Sequence, residues 1–295
     1  MTAIATTSAP APADQPSNLI VDAPKPAAPL PSTDFLPDAE ARRQEAHAYR
    51  SMLGLLGRPV PQPRPGLGVP VVLVPGFIAG DVSMTILSRH LRRHDHRTFR
   101  SGIGANLGCT NAMVERLITR LEAVAAAEGG PVALVGHSRG GMIVNLAGRR
   151  RPDLVAGIVV LSAPVTGTLS VAAPIRRQLE MLYRLNRRGM HSVLSEDCVT
   201  GDCAARITGE LAAPFPHDVP YTSIYSPTDA IIDWRTCLDP AAELVQVRAP
   251  HSGMGTDPIV LAIVADRLAD LGPAGDPLLT SGQSAPSRSR ARAAL

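Results

Sequence analysis

No stretch of about 18 uninterrupted apolar residues occurs in the sequence, so a membrane span is not expected. Cysteine is scarce too. Four cysteines in 295 residues are too few for a disulfide scaffold, and no secretory apolar segment precedes residue 37, where Ala, Pro, Ser and Thr dominate. These absences make the cytoplasm the expected location. A strong charge of either sign is also missing: the net charge is +3 with 19% charged residues, which argues against nucleic acid as a default partner. Arg288, Arg290 and Arg292 are too few for a nucleic-acid-binding tail. What the chain does have is apolar content, 45% of its residues, enough for the core of one large domain.

Residues 1–37 hold too many prolines and too little periodic apolar content to repay their ordering entropy, and they are expected to form a disordered leader. Residues 38–272 read as the folded domain, and 273–295, rich in Ser, Ala, Gly and Arg, as a second disordered tail. Tyr49, Met52, Leu53 and Leu56 fall on one helical face ending at Gly57. Apolar, β-branched runs at Val69–Val74, Pro131–Val135 and Ile158–Leu161 read as buried parallel strands, and a weaker strand is placed near His96–Phe99. Helical patterns at Ser83–Arg93 and Asn111–Glu128, and another behind residue 138, alternate with them. Such alternation predicts an α/β fold: a mostly parallel central sheet with helices on both faces. The alternation breaks between Pro164 and Pro220, where Ile175, Leu179, Leu182 and Leu185 oppose Arg176, Arg177, Arg184, Arg187 and Arg188 on one helix, predicting an inserted helical cap. Strands at Tyr221–Tyr225 and Leu244–Val247 and a helix from Pro258 to Leu271 complete the domain.

The chain is organised around Gly136-His137-Ser138-Arg139-Gly140-Gly141, a G-x-S-x-G between a buried strand and a helix. In a nucleophile elbow of this kind a sharp turn exposes one serine hydroxyl above the sheet, here Ser138. Gly136 and Gly140 lack the Cβ atoms that would collide as the strand folds back onto the helix. A serine needs a base to take its proton and a carboxylate to orient the base. Asp229 lies in the loop after the Tyr221 strand and His251 in the loop after the next, in the order serine, acid, histidine. An oxyanion needs aimed N–H donors, worth about 3–4 kcal/mol each. The backbone N–H groups of Arg139 and of Phe77, in Pro75-Gly76-Phe77, are the candidates.

Val72-Leu73-Val74-Pro75-Gly76-Phe77, Gly136-His137-Ser138-Arg139-Gly140-Gly141, Tyr225-Ser226-Pro227-Thr228-Asp229 and His251-Ser252-Gly253-Met254 resemble, in order over residues 38–271, the motifs of the α/β-hydrolase superfamily. Within it they are similar to bacterial esterase/lipase-like proteins. The resemblance implies Ser138 as nucleophile, Asp229 as acid and His251 as base. One departure is Pro75-Gly76, where many esterases carry His-Gly.

Plainer roles compete for several residues. Ser138 could simply cap the following helix. Asp233 is the rival acid but is expected to bind a backbone N–H or Arg235. His137 is expected to give packing or polar support, and His217 is a distant second candidate for the base. His90, His94 and His96 lie among arginines that would repel a cation, so they read as a solvated helix end rather than a metal site. Cys198 and Cys203 could close a small disulfide loop, yet a reducing compartment would keep them as thiols, and zinc would lack two further ligands. The arginines of the cap helix could meet a membrane surface or simply be solvated.

The function expected is hydrolysis of a small-molecule carboxylic ester with a hydrophobic acyl part, through an acyl-enzyme, with no cofactor and no metal. An acyltransferase using the same intermediate and a non-catalytic binding protein on the same fold are the alternatives. A serine argues against epoxide and haloalkane hydrolases, which use a carboxylate nucleophile. No oligomeric state is specified by the sequence.

Overall fold

A computed structural model describes residues 35–51, 62–66, 68–166 and 170–272. Most of the expected leader, the C-terminal tail and the helical face from Met52 to Leu56 lie outside the described residues. Six strands, β1 (Pro70–Val74), β2 (Arg97–Arg100), β3 (Val132–His137), β4 (Val155–Leu161), β5 (Tyr221–Tyr225) and β6 (Glu243–Gln246), form one sheet in the order β2-β1-β3-β4-β5-β6. Every pairing in it is parallel.

The apolar runs make strands because both faces of the sheet are covered. Along β1, Val72 and Val74 enter one core while Val71 and Leu73 enter the other. Likewise Val132 and Leu134 of β3 point one way, and Ala133 and Val135 the other. This period of two, apolar on both faces, is the signature of a fully buried strand. The first core is closed by α3 (Thr110–Glu128), through Val114, Leu117 and Leu121, and by α4 (Arg139–Arg150), through Ile143 and Leu146. The second is closed by α2 (Thr85–Arg93), through Leu87 and Leu91, and by α8 (Pro258–Ala269), through Val260, Leu261 and Val264.

α1 (Ala39–Ser51) ends where the face expected from Tyr49 to Leu56 begins, and its buried stripe among the described side chains is Ala41, Glu45 and Ala48. That stripe sits on the 3-10 turn His251–Gly253. Between β4 and β5 lie α5 (Ala173–Arg187), α6 (Asp197–Thr200) and α7 (Asp202–Ala212). Leu179 and Leu182 of α5 pack with Val193 and Leu194, whereas Ile207 and Leu211 of α7 join the core over α3 and α4.

The solvated reading of the histidines at the end of α2 is corrected: His90 and His96 are buried, and only His94 is partly exposed. Burial depresses both buried imidazoles, His90 to about 4, with His94 and Arg93 adding to the effect. Among the described residues no helix is long and apolar enough to cross a membrane.

Candidate active site

In a parallel sheet all carboxyl ends share one edge, and the strand order reverses between β1 and β3, where neighbouring loops diverge and leave a crevice. β3 runs into that crevice and turns directly into α4. The turn is tight enough that a Cβ added at Gly136 would lie 2.4 Å from Gly140 O, and one at Gly140 would lie 2.4 Å from both Pro75 O and Val74 O. Ser138, at the apex, has φ 54° and ψ −125°. A non-glycine residue in such a region costs roughly 1–3 kcal/mol and persists only where the surroundings impose it. Ser138 stands at the helix-cap position, but its side chain makes no capping hydrogen bond, so the plain capping role does not hold.

Asp229 and His251 converge beside it. Asp229, buried in the loop after β5, accepts the N–H groups of Ile231 (2.7 Å) and Ile232 (2.9 Å) at Oδ1. Its Oδ2 accepts a hydrogen bond from His251 Nδ1 at 2.6 Å, which leaves Nε2 as the free ring nitrogen. Ser226 Oγ ties the two loops together by accepting the N–H groups of Thr228 and Ala249. Burial alone would depress His251, but the Asp229 charge and hydrogen bond, with a smaller contribution from Glu45, hold it above its ordinary value. Among the described residues no hydrogen bond joins Ser138 to His251. Both line a single cavity of about 900 Å³, otherwise walled largely by apolar side chains such as Met142, Ile175, Leu179 and Ile231.

The other sequence candidates separate clearly. Asp233 accepts the N–H of Arg235 at 3.1 Å and pairs with its guanidinium, as expected. His217 is exposed and does not line the cavity. His137 Nε2 donates to the carbonyl of His251 at 3.0 Å. Burial, helped by the neighbouring His251, pushes its imidazole down to about 3, so it is neutral. Phe77 and Arg139 both border the cavity. As the first residue of α4, Arg139 has an N–H with no acceptor inside the helix. The N–H groups of Ile78 and Ala79 bond to Asn106 O and Gly76 O, and that of Phe77 has no acceptor among the described residues.

Two residues escaped the sequence reading. Asn106, fully buried, donates from Nδ2 to Pro75 O at 2.8 Å and accepts Arg139 Nη1 at both its carbonyl and its side-chain oxygen. It therefore joins the turn holding Phe77 to the turn holding Ser138. Glu45 accepts the Ser252 N–H and thereby braces the turn that carries His251. An Asn in a glycine-rich loop and a Glu on a helix carry no signal that separates them from surface residues.

The sequence profile described as "Alpha/beta hydrolase family" matches residues 71–294. Similar solved structures include a metagenomic carboxyl esterase, 20% identical with a TM-score of 0.52, covering 72% of this chain and 79% of its own. Another is a Bacillus licheniformis lipase in its mature form, 15% identical, TM-score 0.54, covering 72% and 96%. A monoacylglycerol lipase of Paleococcus ferrophilus is 15% identical, TM-score 0.50, covering 71% and 97%. At these identities the likeness concerns the fold. A search of curated proteins finds no match. The profile spans well over half of the chain, and its extent agrees with the parallel sheet and the strand-to-helix turn at Ser138: the protein belongs to the alpha/beta hydrolase family.

Proposed function

We propose that the protein is a serine hydrolase of carboxylic esters with hydrophobic acyl groups. The observation that carries this reading is the His251 Nδ1–Asp229 Oδ2 hydrogen bond at 2.6 Å, which leaves Nε2 free in the cavity that Ser138 also lines. In the first step Ser138 Oγ attacks the acyl carbon while Nε2 of His251 takes the hydroxyl proton. The charge that develops on the carbonyl oxygen is met by the N–H groups of Arg139 and Phe77. The tetrahedral intermediate collapses as the C–O bond to the alcohol breaks, and His251 returns its proton to the departing oxygen. Water then attacks the acyl-enzyme by the same route in reverse, His251 again serving as base and then acid. Asp229 holds the imidazole in the tautomer that can accept at Nε2. The apolar cavity walls favour an acyl or otherwise hydrophobic substrate.

A chain-length series of p-nitrophenyl esters tests the reading. Turnover by the native protein, abolished in Ser138→Ala with an unchanged circular dichroism spectrum, is the expected result; retained turnover would remove it. Products analysed with a competing alcohol distinguish transfer to water from transfer to a second substrate. Repeating the series with phospholipid vesicles asks whether α5, whose outer face exposes Arg177, Met181, Arg184 and Arg187, meets a lipid interface.

A further inference from the structure

Cys198 and Cys203 look in the sequence like a close pair without further ligands. The fold supplies a third sulfur from 94 residues before Cys203: Cys109, the residue immediately preceding α3. Its Sγ lies 3.7 Å from Cys203 Sγ, and the sulfurs of Cys109, Cys198 and Cys203 all lie within 4.8 Å of one another. Among the described residues this is the one group of His, Cys, Asp and Glu side chains close enough to share a metal ion.

The spacing distinguishes between the uses of such a cluster. A disulfide needs sulfurs about 2.05 Å apart, and all four cysteines are free. Two thiolates held by one tetrahedral zinc, each at about 2.3 Å, stand about 3.8 Å apart. The Cys109–Cys203 separation therefore matches a shared cation without movement of either backbone.

The surroundings are also matched in charge. Arg139 is buried, and among the described residues its guanidinium donates only to neutral oxygens: the carbonyl and side chain of Asn106, the Gly108 carbonyl and the Thr110 hydroxyl. Among the described residues no carboxylate pairs with it. A buried cation is costly without a compensating negative charge. Three thiolates and one divalent ion sum to a charge of −1, which the Arg139 charge cancels. A monovalent copper ion on the same thiolates would leave −2, only half of it balanced.

We propose that Cys109, Cys198 and Cys203 bind one thiophilic divalent cation, zinc by charge and spacing, which ties α6 and α7 to the start of α3. Three S–H protons leave to solvent as three metal–sulfur bonds form. The fourth coordination position is open to a solvent molecule, since Cys198 borders the cavity. The cation would stand next to the Arg139 side chain, and so would connect the region above the cavity to the residue that follows Ser138. The expectation of no metal, drawn from two neighbouring cysteines, is revised because the third ligand is remote in sequence.

The test uses the full chain, reduced with a phosphine, stripped of metal and kept anaerobic, with Co²⁺ as the spectroscopic probe and Zn²⁺ as competitor. Thiolate-to-cobalt charge-transfer absorption with intense tetrahedral visible bands should saturate at about one ion per chain and be bleached by Zn²⁺, with release of protons. Cys109→Ser and Cys203→Ser should lose the charge-transfer absorption, whereas Cys237→Ser, whose sulfur lies in a separate cluster with Tyr225 and Leu238, should keep it. Should a variant fail to fold, the native chain alone decides: Zn²⁺ should slow alkylation of Cys109 and Cys198, read by peptide mapping, by about tenfold or more. Absence of the charge-transfer absorption together with unchanged alkylation rates would overturn the proposal. So would binding that survives in both cysteine variants.

Discussion

Glu45 Oε1 accepts the backbone N–H of Ser252 at 2.9 Å across 207 residues of sequence, so a helix that precedes the first strand braces the turn that holds the candidate base. Glu45 is 5% exposed and is one of the groups that hold His251 above its ordinary value. Its charge and its hydrogen bond can be separated experimentally.

Glu45→Gln keeps an acceptor for Ser252 and removes the charge. Because that charge favours the protonated imidazole, its loss lowers the His251 value, and the acid limb of kcat/KM for an ester should move to lower pH. Glu45→Ala removes both features and should reduce kcat as well. A purely structural role for Glu45 would leave the acid limb in place in the Gln variant, and pH–rate profiles of the three proteins decide.

The two carboxylates near β5 should respond differently. Asp229→Asn removes the acceptor of His251 Nδ1–H, and kcat should fall by about 10⁴-fold, as for a base left in the wrong tautomer. Asp233→Asn alters a local turn and an ion pair with a half-exposed Arg235, and should cost about 1 kcal/mol or less of stability with ester turnover retained. Equal losses in the two variants would shift the acid to Asp233.

Gly140→Ala should be poorly tolerated. The new Cβ would meet Pro75 O and Val74 O at 2.4 Å, both backbone atoms that cannot swing aside, and destabilisation of about 3 kcal/mol or more is expected from the overpacking. Gly102→Ala is the comparison: at φ +79° with nothing within 4 Å of the added carbon, it carries only backbone strain, about 1 kcal/mol. Urea midpoints of the two variants give the difference directly.

Stability should fall on acidification below about pH 6.5, the ordinary histidine value. His90, His96 and His137 are all held neutral by burial, so the unfolded chain binds protons there that the folded chain refuses. The window runs from about pH 6.5 down to about 4 for His90 and about 3 for His137. His251, held above its ordinary value, and Asp239, whose carboxyl burial raises, work in the opposite sense, but three depressed imidazoles outnumber them. Denaturation midpoints at pH 7.5, 6 and 5 should decline, and His90→Gln should flatten the decline; a flat native profile would contradict the prediction.

The strands, the two-sided burial of the sheet and the glycine turn around Ser138 were legible because each is written in neighbouring residues. Val71 to Val74 alternate between two cores, and a reader needs only those four positions to infer a central strand. That Ser138, Asp229 and His251 would come to one edge of the sheet was legible for a related reason: each lies in the turn or loop that follows a strand, and a parallel sheet brings all these strand ends together. His90 and His96 were misread because the arginines beside them signal water, whereas the imidazoles themselves turn under α8. The buried face of α1 was missed because Ala41, Glu45 and Ala48 contain no large apolar side chain.

By itself, then, the sequence determined the α/β alternation, the turn at Ser138 and the order of the three candidate catalytic residues. These follow from backbone hydrogen bonding and apolar burial, which act over a few residues and leave a periodic trace. Only the tertiary structure decided that Glu45 meets Ser252, that Asn106 joins Pro75 to Arg139, and that Cys109 meets Cys203. Those contacts join polar or thiol side chains from remote loops. Their geometry depends on how the loops converge over the sheet, and no periodicity records it.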